Sequence, residues 1–179
     1  MYAERMQDST PKQQNDYCAE LVLANNRLRF MQALWLPQPE RSRVLCVLAL
    51  DCELSHVQHA VREEMIAAIR YRWWHDGLEA LQGGHTPPPH PLFDAFSRHD
   101  PLPWEAMQAL VEAYAQAFPA LPANVSEVID AACLATLAGK NPLQERWRRA
   151  GRIIVTHRAK HGEAGRSLLA LKLLCAGMR

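Results

Sequence analysis

The chain has 179 residues, 49% hydrophobic and 22% charged, with a formal net charge of +1. That is enough for one domain with a sizeable core, too apolar for a disordered chain, and too balanced for overall charge to recruit a partner. No apolar run reaches the roughly 18 residues that cross a bilayer, and the opening MYAERMQDSTPKQQNDY has neither the apolar core of a secretory signal nor the acid-poor composition of a transit peptide.

Residues 1–14 are polar and read as a flexible tail, leaving 15–179 as one helical domain. Apolar residues recur at three- and four-residue spacing between proline- and glycine-marked breaks, and nothing alternates with the period of a strand, so an all-α bundle of seven or eight helices is expected. The first helix is predicted from Asp16 to Trp35, with Leu21, Leu28, Met31 and Trp35 on one side and Pro37 and Pro39 stopping it. A second spans Glu40 to His59 and packs Val44, Val47, Leu48, Leu54 and Val57. A third spans Glu63 to Leu81 and buries Ile66, Ile69, Trp73 and Leu81, before Gly83-Gly84 and a proline-rich loop. Helices follow at Leu92–Arg98 and Pro103–Ala117. Ser126 is the expected cap of a helix over Glu127–Leu137, with Gly139 closing it. Asn141 and Pro142 open a basic helix, and SLLALKLLCAGM reads as a short apolar helix at the end.

The five cysteines, Cys18, Cys46, Cys52, Cys133 and Cys175, are odd in number and mostly set in apolar stretches, which points to reduced, packed thiols. Charge divides unevenly along the chain. From Lys140 onward ten Lys/Arg face two acids, a local +8, whereas the first 139 residues carry −7. The residues Arg146, Arg148, Arg149, Arg152, Arg158 and Lys160 therefore form a candidate surface for a protein partner or an anionic membrane. No RNP, zinc-finger or helix-turn-helix signature accompanies them, and nucleic acid is not expected. There is no P-loop, GxGxxG or CxxC, and Ser97, His99 and Asp100 are too close in sequence to form a nucleophilic triad.

Residues 43–118 carry a more specific signal. Arg62, Glu63, Ile69, Arg70, Trp73, Trp74, Asp76 and Leu78 follow the order R-E-x-x-x-x-x-I-R-x-x-W-W-x-D-x-L, and Gly83, His90 and Pro91 come next. With LPWEAMQALVEAY downstream and RLRFMQALWLPQPERSR upstream, this stretch resembles the squalene/phytoene synthase family. The resemblance implies a truncated isoprenoid (terpenoid) synthase-like bundle. In that family two Asp-rich helical motifs face each other and hold Mg²⁺ against a prenyl diphosphate, because carboxylates four residues apart share one helical face.

The motif positions differ here. The first Asp-rich motif falls on Ser55 to His59, with Ser55 and His59 at the carboxylate positions, and Asp51 and Glu53 are two apart and diverge on a helix. Near the second motif only Glu127 and Asp130 are suitably spaced. The phosphate-binding stretch Ser-x-Ser-Phe-Tyr is matched by Asn26-Arg27-Leu28-Arg29-Phe30, without its hydroxyls. The sequence is also shorter than family members usually are. Kept helices beside lost aspartates resemble the branch that includes a mitochondrial complex I assembly factor.

The expected function is accordingly non-catalytic: action through protein or membrane surfaces as an assembly or accessory factor, with a protein partner or a second copy and no cofactor. The alternatives are an isoprenoid-transferring enzyme with an atypical Mg²⁺ site and a polyprenyl-lipid binding protein. Glu53, His56, His59, Arg70 and Trp74 are the candidate lining of a residual cavity. His56, His59 and His90 lack the spacing of a metal set, and none is assigned. A bacterial cytoplasm, or a mitochondrial matrix for a eukaryotic chain, is the expected compartment.

Overall fold

The computed structural model describes residues 11–161, and all regular structure among them is helical. The elements are α1 (Pro11–Asn25), α2 (Arg27–Ala33), α3 (Glu40–Ala60), α4 (Glu64–Gln82), α5 (Pro91–Arg98), α6 (Trp104–Ala117), α7 (Val125–Ala135) and α8 (Asn141–His161). Most of the segment read as a tail, the apolar stretch 167–178 and Cys175 lie outside the described residues. Among the described residues no helix is long and apolar enough to cross a membrane.

The arrangement follows from α3. Every residue from Val44 to Cys52 is buried, so this helix is enclosed on all sides rather than on the single stripe expected from its sequence. The helices α1, α2, α4, α5, α6 and α7 all pack against it, while α4 also lies along α6 and α6 along α7. In the main core, Cys18 and Val22 of α1 join Leu48 and Leu50 of α3 and Phe93 and Phe96 of α5. The four described cysteines are all buried free thiols. A smaller cluster, built on Ala150 and Ile154 of α8 with Leu28, Met31 and Trp35, attaches α8 to α2.

Three local expectations are corrected. The first helix is two: Asn26, at φ −140° and ψ 72°, leaves the helical region and restarts the chain as α2 by accepting from the Arg29 amide. Ser126 lies inside α7 rather than at its cap, which is Asn124, and its hydroxyl serves Arg29 instead. On α4 the inward stripe is Ala67, Tyr71, Trp74 and Leu78, at spacings of four, three and four. Ile66 and Ile69 consequently face water at 41% and 63% exposure, and Trp73 and Leu81 are half-buried.

The paired tryptophans of α4 acquire a packing role. Trp74 is buried, with its ring 5.2 Å from Phe93 and 4.9 Å from His90, and Trp73 lies 5.0 Å away edge-on. His90 caps α5 by accepting the Leu92 amide at Nδ1, and Pro91 follows at the first helical position, where no amide is needed. The Phe93 ring sits over Gly77, where a Cβ would come within 2.2 Å of Cζ. Gly77→Ala is expected to destabilise the fold by about 1–3 kcal/mol through overpacking, read as a lower denaturation midpoint at constant slope. Unchanged stability would mean that Phe93 is not seated on Gly77.

Candidate functional site

Five helices bring polar side chains to the interior of the bundle. From α3, Asp51 and Ser55 are four apart and share a face, and both reach Tyr114 of α6. The phenol donates to Asp51 Oδ1 at 2.7 Å and accepts from Ser55. From α2, Arg29 forms an ion pair with Asp130 of α7, donates to Ser126 Oγ at 2.8 Å and to Gln32 Oε1 at 3.1 Å, and its charge acts on Asp51. From α8, the Trp147 indole donates to Asp130 Oδ1 at 3.3 Å, and its carbonyl accepts from Gln32 Nε2 at 3.1 Å. Gln32 is fully buried and uses both ends of its amide.

Burial sets the electrostatics. Asp51 is pushed above the ordinary carboxylate range by desolvation, against the opposing effects of the Tyr114 hydrogen bond and the Arg29 charge. Tyr114 is raised by burial and further by the neighbouring carboxylate, and the Cys52 thiol is pushed up to about 12 by burial beside Asp51 and Glu53. The bundle therefore holds one buried carboxylate, Asp51, and a second, Asp130, partly open at 38% side-chain exposure, with the largely covered Arg29 guanidinium; both carboxylates are hydrogen-bonded or ion-paired.

This arrangement does not fit a pair of facing metal motifs. Of the two positions expected for the first motif, Ser55 is inside and His59 is exposed, because the inward face of α3 runs through Asp51, Leu54, Val57 and Gln58. Opposite, Glu127 is exposed and Asp130 is held by Arg29 and Trp147. A guanidinium occupies the place between carboxylates from which a hard cation would draw its ligands.

The five residues expected to line one cavity are not brought together. His56, His59 and Arg70 are exposed. Glu53 and Trp74 have only His90 as a shared neighbour: Glu53 accepts the Tyr17 hydroxyl and its charge acts on His90, whose ring lies on Trp74. Of the basic residues on α8, Arg146, Arg148, Arg149 and Arg152 are exposed, Arg152 bonding Glu145 at 2.9 Å; the side chains of Arg158 and Lys160 lie outside those described.

A feature missed in the sequence is a groove of about 380 Å³ between α4 and α6, lined by Tyr71, His75, Val111, Glu112 and Phe118 among others. His75 Nε2 lies 3.9 Å from Glu112 and Nδ1 3.9 Å from Asp76, too far for hydrogen bonds. His75, Asp76 and Glu79 place three potential ligand atoms within 4.8 Å of one another. Asp76, however, is engaged by Arg72 at 2.7 Å. The i, i+4 spacing of His75 and Glu79 was the available signal.

Comparison with known proteins agrees with this scaffold. The sequence pattern of the family described as squalene/phytoene synthase matches residues 24–160. The chain belongs to that family. Among curated proteins, human "NADH dehydrogenase (ubiquinone) complex I, assembly factor 6" is 30% identical over 87 residues, which is 47% of this chain and 26% of that protein. The match thus spans about a quarter of the relative's length. No solved structure matches the chain.

Two outcomes test the site. Arg29→Met leaves Asp130 and Asp51 without their cation and is expected to cost about 2–4 kcal/mol of stability, measured by denaturant unfolding; a loss below a tenth of that range would refute the network. Acid provides the second test. His90 is held below its ordinary value of 6.5 mainly by burial, and His99 likewise by burial, with Arg98 and Arg43 adding to it. The unfolded chain therefore takes up these protons first, so stability is full above pH 6.5 and falls as the pH drops through 6.5 towards the lower folded-state values. His90→Asn keeps a capping acceptor and removes one titrating group, and should flatten that slope between pH 7.5 and 5.5. A wild-type slope of zero there would contradict the assignment.

Proposed function

We propose that this chain is a non-catalytic member of its family, an accessory or assembly factor that presents surfaces to another protein rather than turning over a prenyl diphosphate. The observation that carries the reading is the Arg29 network. The guanidinium supplies, from within the chain, the positive charge that facing carboxylates would otherwise take from Mg²⁺, and the interior polar groups bind one another. The name of the human relative, a complex I assembly factor, supports the same reading.

No resident cofactor enters this function. The exposed arginines of α8, Arg146, Arg148, Arg149 and Arg152, offer the surface for an acidic partner, and Arg158 and Lys160 continue the basic run in sequence. Charge of one sign on one helix speeds encounter with a complementary surface and gives a salt-dependent rate. The compartment in this reading is a bacterial cytoplasm or a mitochondrial matrix.

Calorimetric titration with a non-hydrolysable farnesyl diphosphate analogue, with and without Mg²⁺, tests the proposal. No binding under either condition is the expected result. Binding strengthened by Mg²⁺ would overturn it in favour of a prenyl-transferring enzyme, and Mg²⁺-independent binding would overturn it in favour of a polyprenyl carrier.

A further inference from the structure

Three of the large hydrophobic side chains left open to water fall within five residues of α4: Met65 at 76% exposure, Ile66 at 41% and Ile69 at 63%. They lie on a well-packed helix rather than a loop, since Ala67, Tyr71, Trp74 and Leu78 bury the opposite side. At 3.6 residues per turn, Met65 and Ile69 stack one above the other on the outward face. Ile66 lies beside them, on the flank that also carries Arg70, and Glu63, the extended N-cap residue just before α4, stands about two turns away at the head of the helix. Both Glu63 and Arg70 are exposed, and neither side chain has a hydrogen-bond or ion-pair partner among the described residues. Arg72, by contrast, is committed to Asp76.

We propose that this face of α4 is a homodimer interface, on which a second copy lays its own α4 antiparallel across a two-fold axis. A two-fold perpendicular to the helix pair sets each flank against the same flank of the other subunit. With the axis at the level of Ala67, Met65 is level with the partner's Ile69, and Glu63 lies within one residue of the level of the partner's Arg70, each twice by symmetry. The apolar side chains and the two free opposite charges are thus complementary to themselves in one register. A parallel arrangement would not pair them in this way. Met65 adds a side chain that adapts to its neighbour at little cost.

A contact one helix wide falls short of the roughly 1,200 Å² at the lower end of stable specific interfaces. The dimer is therefore weak, forms with rising concentration, and loosens with salt as its exposed ion pairs are screened. The inference is independent of the accessory-factor reading, because the diphosphate titration does not probe α4 and the dimer does not require a catalytic or non-catalytic interior.

Sedimentation equilibrium of the full chain provides the test. Wild type is expected to show a reversible monomer–dimer equilibrium. Arg70→Glu sets acid against the partner's Glu63, and Glu63→Arg sets base against the partner's Arg70; each is expected to raise the dissociation constant about tenfold. An equimolar mixture of the two single variants restores both attractive pairs, as does the double variant, and both should recover dimerisation. Ile69→Asp should leave a folded monomer, with an unchanged helical spectrum because the site is exposed. The proposal is overturned by a wild type that stays monomeric at every concentration. It is equally overturned by a dimer insensitive to Arg70→Glu and Ile69→Asp, or by charge-swapped variants that fail to rescue each other.

Discussion

The constraint on which the structure depends is the complete enclosure of α3. A helix closed to water from Val44 to Cys52 has no exposed face on which to place a charge, yet Asp51 lies within that run. A buried carboxylate is costly unless it is hydrogen-bonded and compensated. Tyr114 provides the first and Arg29 the second, and each draws in further partners. Arg29 needs acceptors for the rest of its fork and finds Asp130, Ser126 and Gln32; Gln32 then needs an acceptor for its amide and finds the Trp147 carbonyl. The polar side chains of α2, α3, α6, α7 and α8 are thus joined through Asp51 and Arg29.

The helices were legible where chemistry punctuates them locally. Gly84 at φ +72° after α4 and Asn141 at the head of α8 mark the boundaries expected of them. The facing of α4 was not legible, because its sequence contains two apolar stripes. Ile66 and Ile69 look as fit for the core as Tyr71 and Trp74, and only the packing of α5 and α6 selects between them. The interior network was still less accessible. Tyr114 and Asp51 are 63 residues apart and Arg29 and Asp130 are 101 apart, so no window along the chain contains both partners. Asn26 and Ser126 show the same limit at short range: each carries a capping side chain, but only Asn26 uses it to start a helix.

The features that mark the family in this sequence are largely those that build the scaffold. Trp73, Trp74, His90 and Pro91 form one packed joint around Gly77: the indoles meet the His90 ring, His90 and Pro91 begin α5, and α5 delivers Phe93 onto Gly77, which the family pattern itself leaves unspecified. Removing any part would disturb the seat of α5 against α4, regardless of what the interior binds. The polar side chains of α2, α3 and α7 are separate from this joint, and there Arg29 pairs with Asp130 and Asp51 accepts from Tyr114.

Separation of the joint from the interior lets a sequence pattern match residues 24–160 whatever the interior binds. The joint is maintained by packing, which tolerates few substitutions. The interior need only satisfy its own buried polar groups, and it can do so with an internal ion pair as well as with a metal. Once Arg29 occupies the centre, restoring an aspartate at Ser55 would add a third carboxylate around a single guanidinium without freeing the two already engaged. A metal site here would require replacement of Arg29 together with facing acids on α3 and α7, so such chemistry would depend on several helices at once.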